Sequence, residues 1–143
     1  MQADVLSPLK KKEIRGIIIA KAKDQVGKPY KFGIEIKMED PNPGLWDCSE
    51  LIEWCYYQAG LSIPDGSANQ FEFTIPTANP LPGDLFFGCN DDGKIVHVGI
   101  LYDEKIVIEA RGDAKYMRVV ERPRETWEKW KHFKGFRQHP KLV

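Results

Sequence analysis

The chain has 143 residues, 42% of them hydrophobic and 29% charged, a composition that fits one globular domain and excludes wholesale disorder. A domain of this length buries about two thirds of the surface its unfolded chain exposes, so its core needs neither disulfides nor a metal. The 21 basic and 21 acidic residues cancel to a formal net charge of +0, without the basic excess expected of a protein that holds nucleic acid through its phosphates.

The first residues lack the basic-then-apolar layout of a secretory signal, and no apolar run approaches the length of a membrane span. Ser7 as N-cap and Pro8 at the first helical position open a helix predicted over residues 8–26. Ile14, Ile17, Ile18, Ala22 and Val26 form its apolar face, and Gly27 stops it. Residues 27–46 are rich in Gly and Pro and read as a long loop with at most a short strand, a length that in a compact domain is commonly functional. Asp47 then caps a second helix, predicted over 48–59 from the stripe Leu51, Ile52, Cys55, Tyr56 and Ala59 and closed by Gly60. After a turn at Pro64-Asp65-Gly66 comes a short helix over 67–73. From Pro82 the period changes to two, giving strands over 84–87, 96–102, 105–110 and 116–121, a helix over 124–131 and a last strand over 133–138. Helices followed by an antiparallel meander make an α+β fold, with residues 1–143 as one domain.

Three cysteines, Cys48, Cys55 and Cys89, are an odd number in a domain too large to need a disulfide framework. Cys55 lies on the apolar stripe and reads as a packing residue, and Cys89 reads as a loop thiol. Cys48 is different: it precedes the stripe at the first turn of a helix, where unpaired N–H groups and the positive dipole end stabilise a thiolate. A thiol nucleophile needs a base. His132 and His139 lie in a basic C-terminal stretch expected to face solvent, whereas His97 lies inside a strand. Aligning the apolar faces puts Val98 opposite Ile108, Ile100 opposite Ile106 and His97 directly opposite Glu109, provided the connection is the three residues 102–104. Glu109 then orients the imidazole and stabilises its cation. Taken without Cys48, the same two residues also fit a polar pair on a half-exposed sheet.

Five segments, in order, resemble the NlpC/P60 cysteine peptidases: Gly27-Lys28-Pro29-Tyr30-Lys31-Phe32-Gly33, Asp47-Cys48-Ser49-Glu50-Leu51-Ile52, Pro82-Gly83-Asp84-Leu85-Phe86-Phe87, Val96-His97-Val98-Gly99-Ile100 and Val107-Ile108-Glu109-Ala110. The resemblance implies a papain-like α+β fold and hydrolysis of peptidoglycan stem peptides, commonly after D-γ-glutamate. It makes Cys48 the nucleophile, His97 the base and Glu109 the orienting residue. It places Tyr30 beside the thiol and Asp47 and Ser49 along the pocket; Trp46, in the loop before them, is expected to border the substrate. Two positions depart from the family pattern: Glu50 stands where a small residue is usual, and Glu109 where His, Asn or Gln is frequent.

The expected chemistry is thioester acyl transfer without cofactor or metal, since no C-x-x-C or H-x-x-x-H spacing supports a zinc site. The expected partner is the stem peptide, with no nucleic acid, no membrane insertion and a monomeric chain. Synthesis in the cytoplasm, with action after lysis or from a phage virion, is the accompanying expectation. An amidase or acyltransferase acting on another amide, such as a lipid, and a non-catalytic tail or binding domain of the same fold are the competing readings. Trp127 and Trp130, three apart on a predicted helix, read as packing residues.

Overall fold

In the computed structural model, which describes residues 5–113 and 115–143, the first helix α1 (Pro8–Gln25) begins where the sequence places it. The Ser7 hydroxyl accepts from the Lys10 N–H at 3.1 Å, and Pro8 occupies the first turn, where no N–H is needed. Ile14, Ile18 and Ala22 face the core. Arg15 on the same face is buried because its guanidinium has three acceptors: Asp84 Oδ1 at 2.7 Å, Pro82 O at 3.1 Å and Leu142 O at 3.1 Å. One side chain thereby ties α1 to the turn before the sheet and to the C-terminus. No helix among the described residues is long and apolar enough to cross a membrane.

The remaining elements are α2 (Cys48–Gln58), α3 (Ser67–Phe73), β1 (Ile75–Pro76), β2 (Leu85–Cys89), β3 (Ile95–Leu101), β4 (Ile106–Gly112), β5 (Met117–Pro123), α4 (Arg124–Glu128), β6 (Phe133–Gln138) and a closing 3-10 turn, Pro140–Leu142. One antiparallel sheet runs in the order β1-β6-β2-β3-β4-β5. Strands β2 to β5 form the expected meander, and β6 returns to the free edge of β2. The pair β1 and the closing turn are too short to leave a periodic signal in sequence.

Both faces of the sheet are covered. On one side α1 and α2 bury Leu51, Ile52 and Cys55 with Leu85, Phe87, Val98, Ile100 and Ile108. On the other, Phe86, Leu101, Val107, Trp127 and Phe136 make a second core. This double cover explains why every residue of β2 is buried and why Cys89, expected in a loop, ends a strand at 7% exposure. The Gly/Pro-rich segment crosses the outer edge of β5. Gly27 and Tyr30 donate to Val119 and Met117 carbonyls, and Val119 donates back to Lys28, so that edge is not left open.

The connection between β3 and β4 has the expected length but sits one residue later. Tyr102 pairs with Ile106, Ile100 with Ile108 and Leu101 with Val107, leaving residues 103–105 as the turn. The Asp103 carboxylate fixes it by accepting from the Lys105 and Ile106 N–H groups, both at 2.8 Å. The register therefore moves by two residues: Gly99, not His97, faces Glu109.

The two histidines expected in solvent are not free. His139 is buried, stacks on Tyr56, accepts from the Lys141 N–H and contacts Ser62 O at 2.7 Å, and burial lowers its pKa. His132 is mostly covered and pairs with Asp91 at 3.0 Å.

Glu50 is buried on α2 with Glu53 and Asp65 beside it. Burial pushes its carboxyl up to about 8, against the Ile36 N–H, which favours the anion; the contact with Asp65 and the charges of Glu53 and Asp65 push the same way as burial. Glu53 is pushed up to about 7. The folded state thus keeps protons that the unfolded chain releases near 4.5, so this cluster's contribution is full below that pH and is lost as pH rises through about 8. Glu50→Gln mimics the protonated acid. It is expected to raise Tm by about 3–6 °C at pH 8.5 and hardly at all at pH 5, measured by thermal scans at both values.

Candidate active site

Cys48 is the first residue of α2, and Asp47 is its N-cap. Asp47 Oδ1 accepts from the Ser49 N–H at 3.2 Å and Oδ2 from the Gly33 N–H at 2.7 Å. The carboxylate thus fastens the helix start to the preceding loop and is satisfied by backbone on both oxygens. Trp46, expected to border the substrate, is instead fully buried. Its ring packs on Trp54 at 5.2 Å and its indole N–H donates to Gln25 Oε1 at 3.2 Å. It anchors the loop that leads into the cysteine and has no surface to offer a ligand. Ser49 is also largely buried, and its carbonyl accepts from Gln70.

Helix α2 packs on β3 and β4, which brings the thiol to His97. The imidazole hydrogen-bonds Glu109 and lies near enough to Cys48 for the thiol to raise its pKa. Its Nε2 lies 2.7 Å from Glu109 Oε1, which leaves Nδ1 for the sulfur. The two-residue register shift makes His97 and Glu109 diagonal neighbours, still on one face and within side-chain reach. Gly99 between them permits this: a Cβ there would stand 2.2 Å from the Phe86 ring and 3.1 Å from the Glu109 Cβ.

Burial alone would push the His97 imidazole down; the neighbouring Cys48 thiol and the hydrogen-bonded Glu109, with their charges, overcome that and hold it protonated up to about 10. Glu109 is fully buried, with Arg111 Nη1 3.6 Å from Oε1 and the Trp127 indole N–H donating to Oε2. The Trp127 ring also stacks on the imidazole, with centroids 5.2 Å apart and planes 16° apart. Cys48 is 8% exposed and the His97 side chain 17%, so the pair keeps limited access to solvent. Cys55, by contrast, is fully enclosed, and burial drives its thiol pKa up.

Tyr30 completes the group. Its ring packs against Gly112, where a Cβ would meet it at 2.0 Å. Burial first, then the Asp47 and Cys48 charges, push its phenol up to about 12, so it stays a neutral hydrogen-bonding group beside the thiol. The structure therefore brings Tyr30, Asp47, Cys48, His97 and Glu109 together, and leaves Trp46 in the core. Chemically the set pairs a thiol with a cationic imidazole at a helix N-terminus, an arrangement suited to attack on a carbonyl and protonation of a leaving group.

Sequence reasoning missed Trp127, Arg111 and Gly112. The available signal was indirect: a buried glutamate needs more than one donor, and a strand glycine often marks close approach of another group.

Comparison with known proteins agrees with this geometry. The model of the NlpC/P60 family matches residues 27–135. "Probable endopeptidase p60" of Listeria grayi is 34% identical over 96 residues, covering 66% of this chain and 17% of that protein. The bifunctional muramidase/DL-endopeptidase CwlT of Bacillus subtilis is 38% identical over 78 residues, covering 52% of this chain and 22% of that protein. The chain thus spans about a fifth of the length of these relatives. The structure of the peptidoglycan hydrolase RipB from Mycobacterium tuberculosis superposes with a TM-score of 0.72 at 23% identity, over 94% of this chain and 68% of that one, and shares its fold. With helix-borne Cys48, strand-borne His97 and Glu109 all inside the matched span, the chain belongs to the NlpC/P60 family.

Proposed function

We propose that this chain is a cysteine endopeptidase that hydrolyses an amide bond in the peptidoglycan stem peptide, at the bond after D-γ-glutamate. The observation that carries the reading is the grouping of Cys48, at the start of α2, with His97, whose imidazole is hydrogen-bonded to the buried Glu109. The similarity to an endopeptidase p60, a DL-endopeptidase and a peptidoglycan hydrolase supports the substrate class.

The Cys48 thiolate attacks the amide carbonyl, and the oxyanion is held by backbone N–H at the helix start. His97, cationic at neutral pH, gives its proton to the leaving amine. Water then attacks the thioester, with the now neutral His97 taking one of its protons; the C–S bond breaks, the carboxylic acid leaves and the Cys48 thiolate is restored beside cationic His97. Glu109 keeps the ring oriented and offsets its charge through both steps.

Asp47 bears on which form of the wall is cut. Each of its oxygens accepts one backbone N–H, which ties the carboxylate to the loop and the helix start and leaves it one further acceptor site per oxygen. With the carboxylate serving as helix cap, intact wall is the expected substrate; a stem trimmed to a free L-alanine terminus would need those remaining sites for its amine. The test offers intact sacculi and free tripeptide to wild type and Cys48→Ala, with mass analysis of the products. Wild type is expected to release new amines from sacculi with a stem cut after D-γ-glutamate, and Cys48→Ala to lose at least about 10⁴-fold in rate. Equal behaviour of the two proteins on both substrates would overturn the assignment.

A further inference from the structure

We propose that Trp127 is a positioning residue for the acid–base pair: its indole N–H fixes the Glu109 carboxylate and its ring fixes the plane of His97. The inference rests on the assignment of Cys48, His97 and Glu109 as the reacting set, and adds a member from outside the five matching segments.

A glutamate's terminal torsion is broad, so one hydrogen bond to the imidazole does not set the carboxylate's orientation. Glu109 is fully buried and shielded from bulk solvent, so the protein's own donors set its orientation. The second donor comes from Trp127, whose indole N–H is given to Oε2 while His97 Nε2 takes Oε1. Each oxygen then has its own directional partner, and the carboxylate cannot turn without breaking one of them. The same indole lies nearly parallel to the imidazole at 5.2 Å. A ring stacked this way resists rotation of the imidazole, and so keeps Nδ1 toward the thiol when Nε2 faces Glu109.

Trp127 is itself held. Phe86 packs on it at 4.9 Å and Trp130 edge-on at 4.8 Å, and the short helix that carries it is hung from the β3–β4 turn by the Arg124 N–H to Lys105 O bond at 2.9 Å. Of the two tryptophans, only Trp127 is buried; Trp130 is 42% exposed. Three-residue spacing on a helix described both equally well, and only the tertiary contact separates them.

The experiment follows the pH dependence of Cys48 alkylation by iodoacetamide, mapped by mass, in wild type, Trp127→Phe, Glu109→Ala and the double variant. It needs no peptidoglycan, so its outcome is separate from that of the substrate assignment. Phenylalanine keeps an aromatic ring but no donor. Trp127→Phe is expected to move the half-maximal pH of alkylation upward by about one pH unit, with no further movement when it is added to Glu109→Ala. A profile unchanged from wild type, or the same displacement in both backgrounds, would show that Trp127 only packs. Should Trp127→Phe fail to fold, the wild type labelled with ¹⁵N-tryptophan decides: one of its four indole signals is expected to titrate with the His97 ring protons, and none doing so overturns the proposal.

Discussion

Glutamine in place of Glu109 is expected to lower kcat on muropeptides by about 10²–10⁴-fold with KM nearly unchanged. The resemblance, in which Asn or Gln is frequent at this position, implies that an amide can orient the ring. The structure removes that option, because Glu109 accepts from two donors, His97 Nε2 and the Trp127 indole. An amide has one acceptor oxygen. If that oxygen keeps Trp127, its NH₂ faces Nε2 and selects the tautomer with the proton on Nδ1, which cannot take one from Cys48. If it turns to His97, the NH₂ opposes the indole N–H. Either way the charge that helps hold the imidazole cationic up to about 10 is gone. The alkaline limb of the pH–rate profile should therefore fall by about 1–3 pH units. Stability carries the same sign. In wild type the raised imidazole pKa contributes stability that is complete below 6.5 and lost as pH rises through about 10, and Glu109→Gln should flatten that slope. Steady-state kinetics across pH, with urea unfolding in parallel, measure both; an unchanged alkaline limb contradicts the assigned role.

The largest loss of stability is expected from Arg15→Met, at about 3–5 kcal/mol by urea unfolding at pH 7. Asp84 is completely buried, and burial already raises its pKa even though the Leu81 N–H and Arg15 hold it down. Removing the guanidinium leaves a carboxylate with one hydrogen bond and no countercharge, together with two carbonyls, Pro82 O and Leu142 O, that lose their donor. The deficit should shrink as pH falls, because a protonated Asp84 no longer needs the partner. The double variant Arg15→Met, Asp84→Leu should recover much of the loss. A single-variant cost below about 1 kcal/mol would mean that the pair is not isolated from water.

Where chemistry is local, the sequence was informative. Ser7 with Pro8 and Asp47 with Cys48 mark helix starts because capping depends on adjacent residues, and α3 and β6 have the expected bounds. The β3–β4 pairing shows the limit. Strand faces repeat every two residues, so apolar matching identifies the face of Glu109 but accepts equally a register displaced by two. The Asp103 turn made that choice. Long-range packing was less legible still. Trp46 lies in a Gly- and Pro-rich segment and His139 in a basic one, surroundings that read as surface, yet Gln25 and Trp54 enclose the first and Tyr56, Phe73 and Ser62 the second. Trp127 belongs to the same class: its partner Glu109 is 18 residues away, on another element.

The ladder between Tyr30 and Trp46 has a consequence for how this domain can diversify. Lys31 donates to Trp46 O at 2.8 Å and Trp46 donates to Pro29 O at 3.0 Å, so the chain leaves and re-enters the body of the protein at one place. Residues 31–45 form a closed excursion whose two feet are clamped, one foot carrying the phenol and the other leading directly into the thiol. Changing the length of such an excursion alters its closure entropy only logarithmically, about 0.6 kcal/mol per doubling. Its exposed turns can therefore change in length with little effect on where Tyr30 and Cys48 stand, so long as its rests on α2 are kept: the Ile36 N–H on Glu50, and the Met38 and Asp40 carbonyls that accept from Gln58 and Trp54. Variation in what the site contacts has in this segment a tolerant place, provided the replacement also restores the bond that Gly33 gives to Asp47 and leaves Trp46 moored.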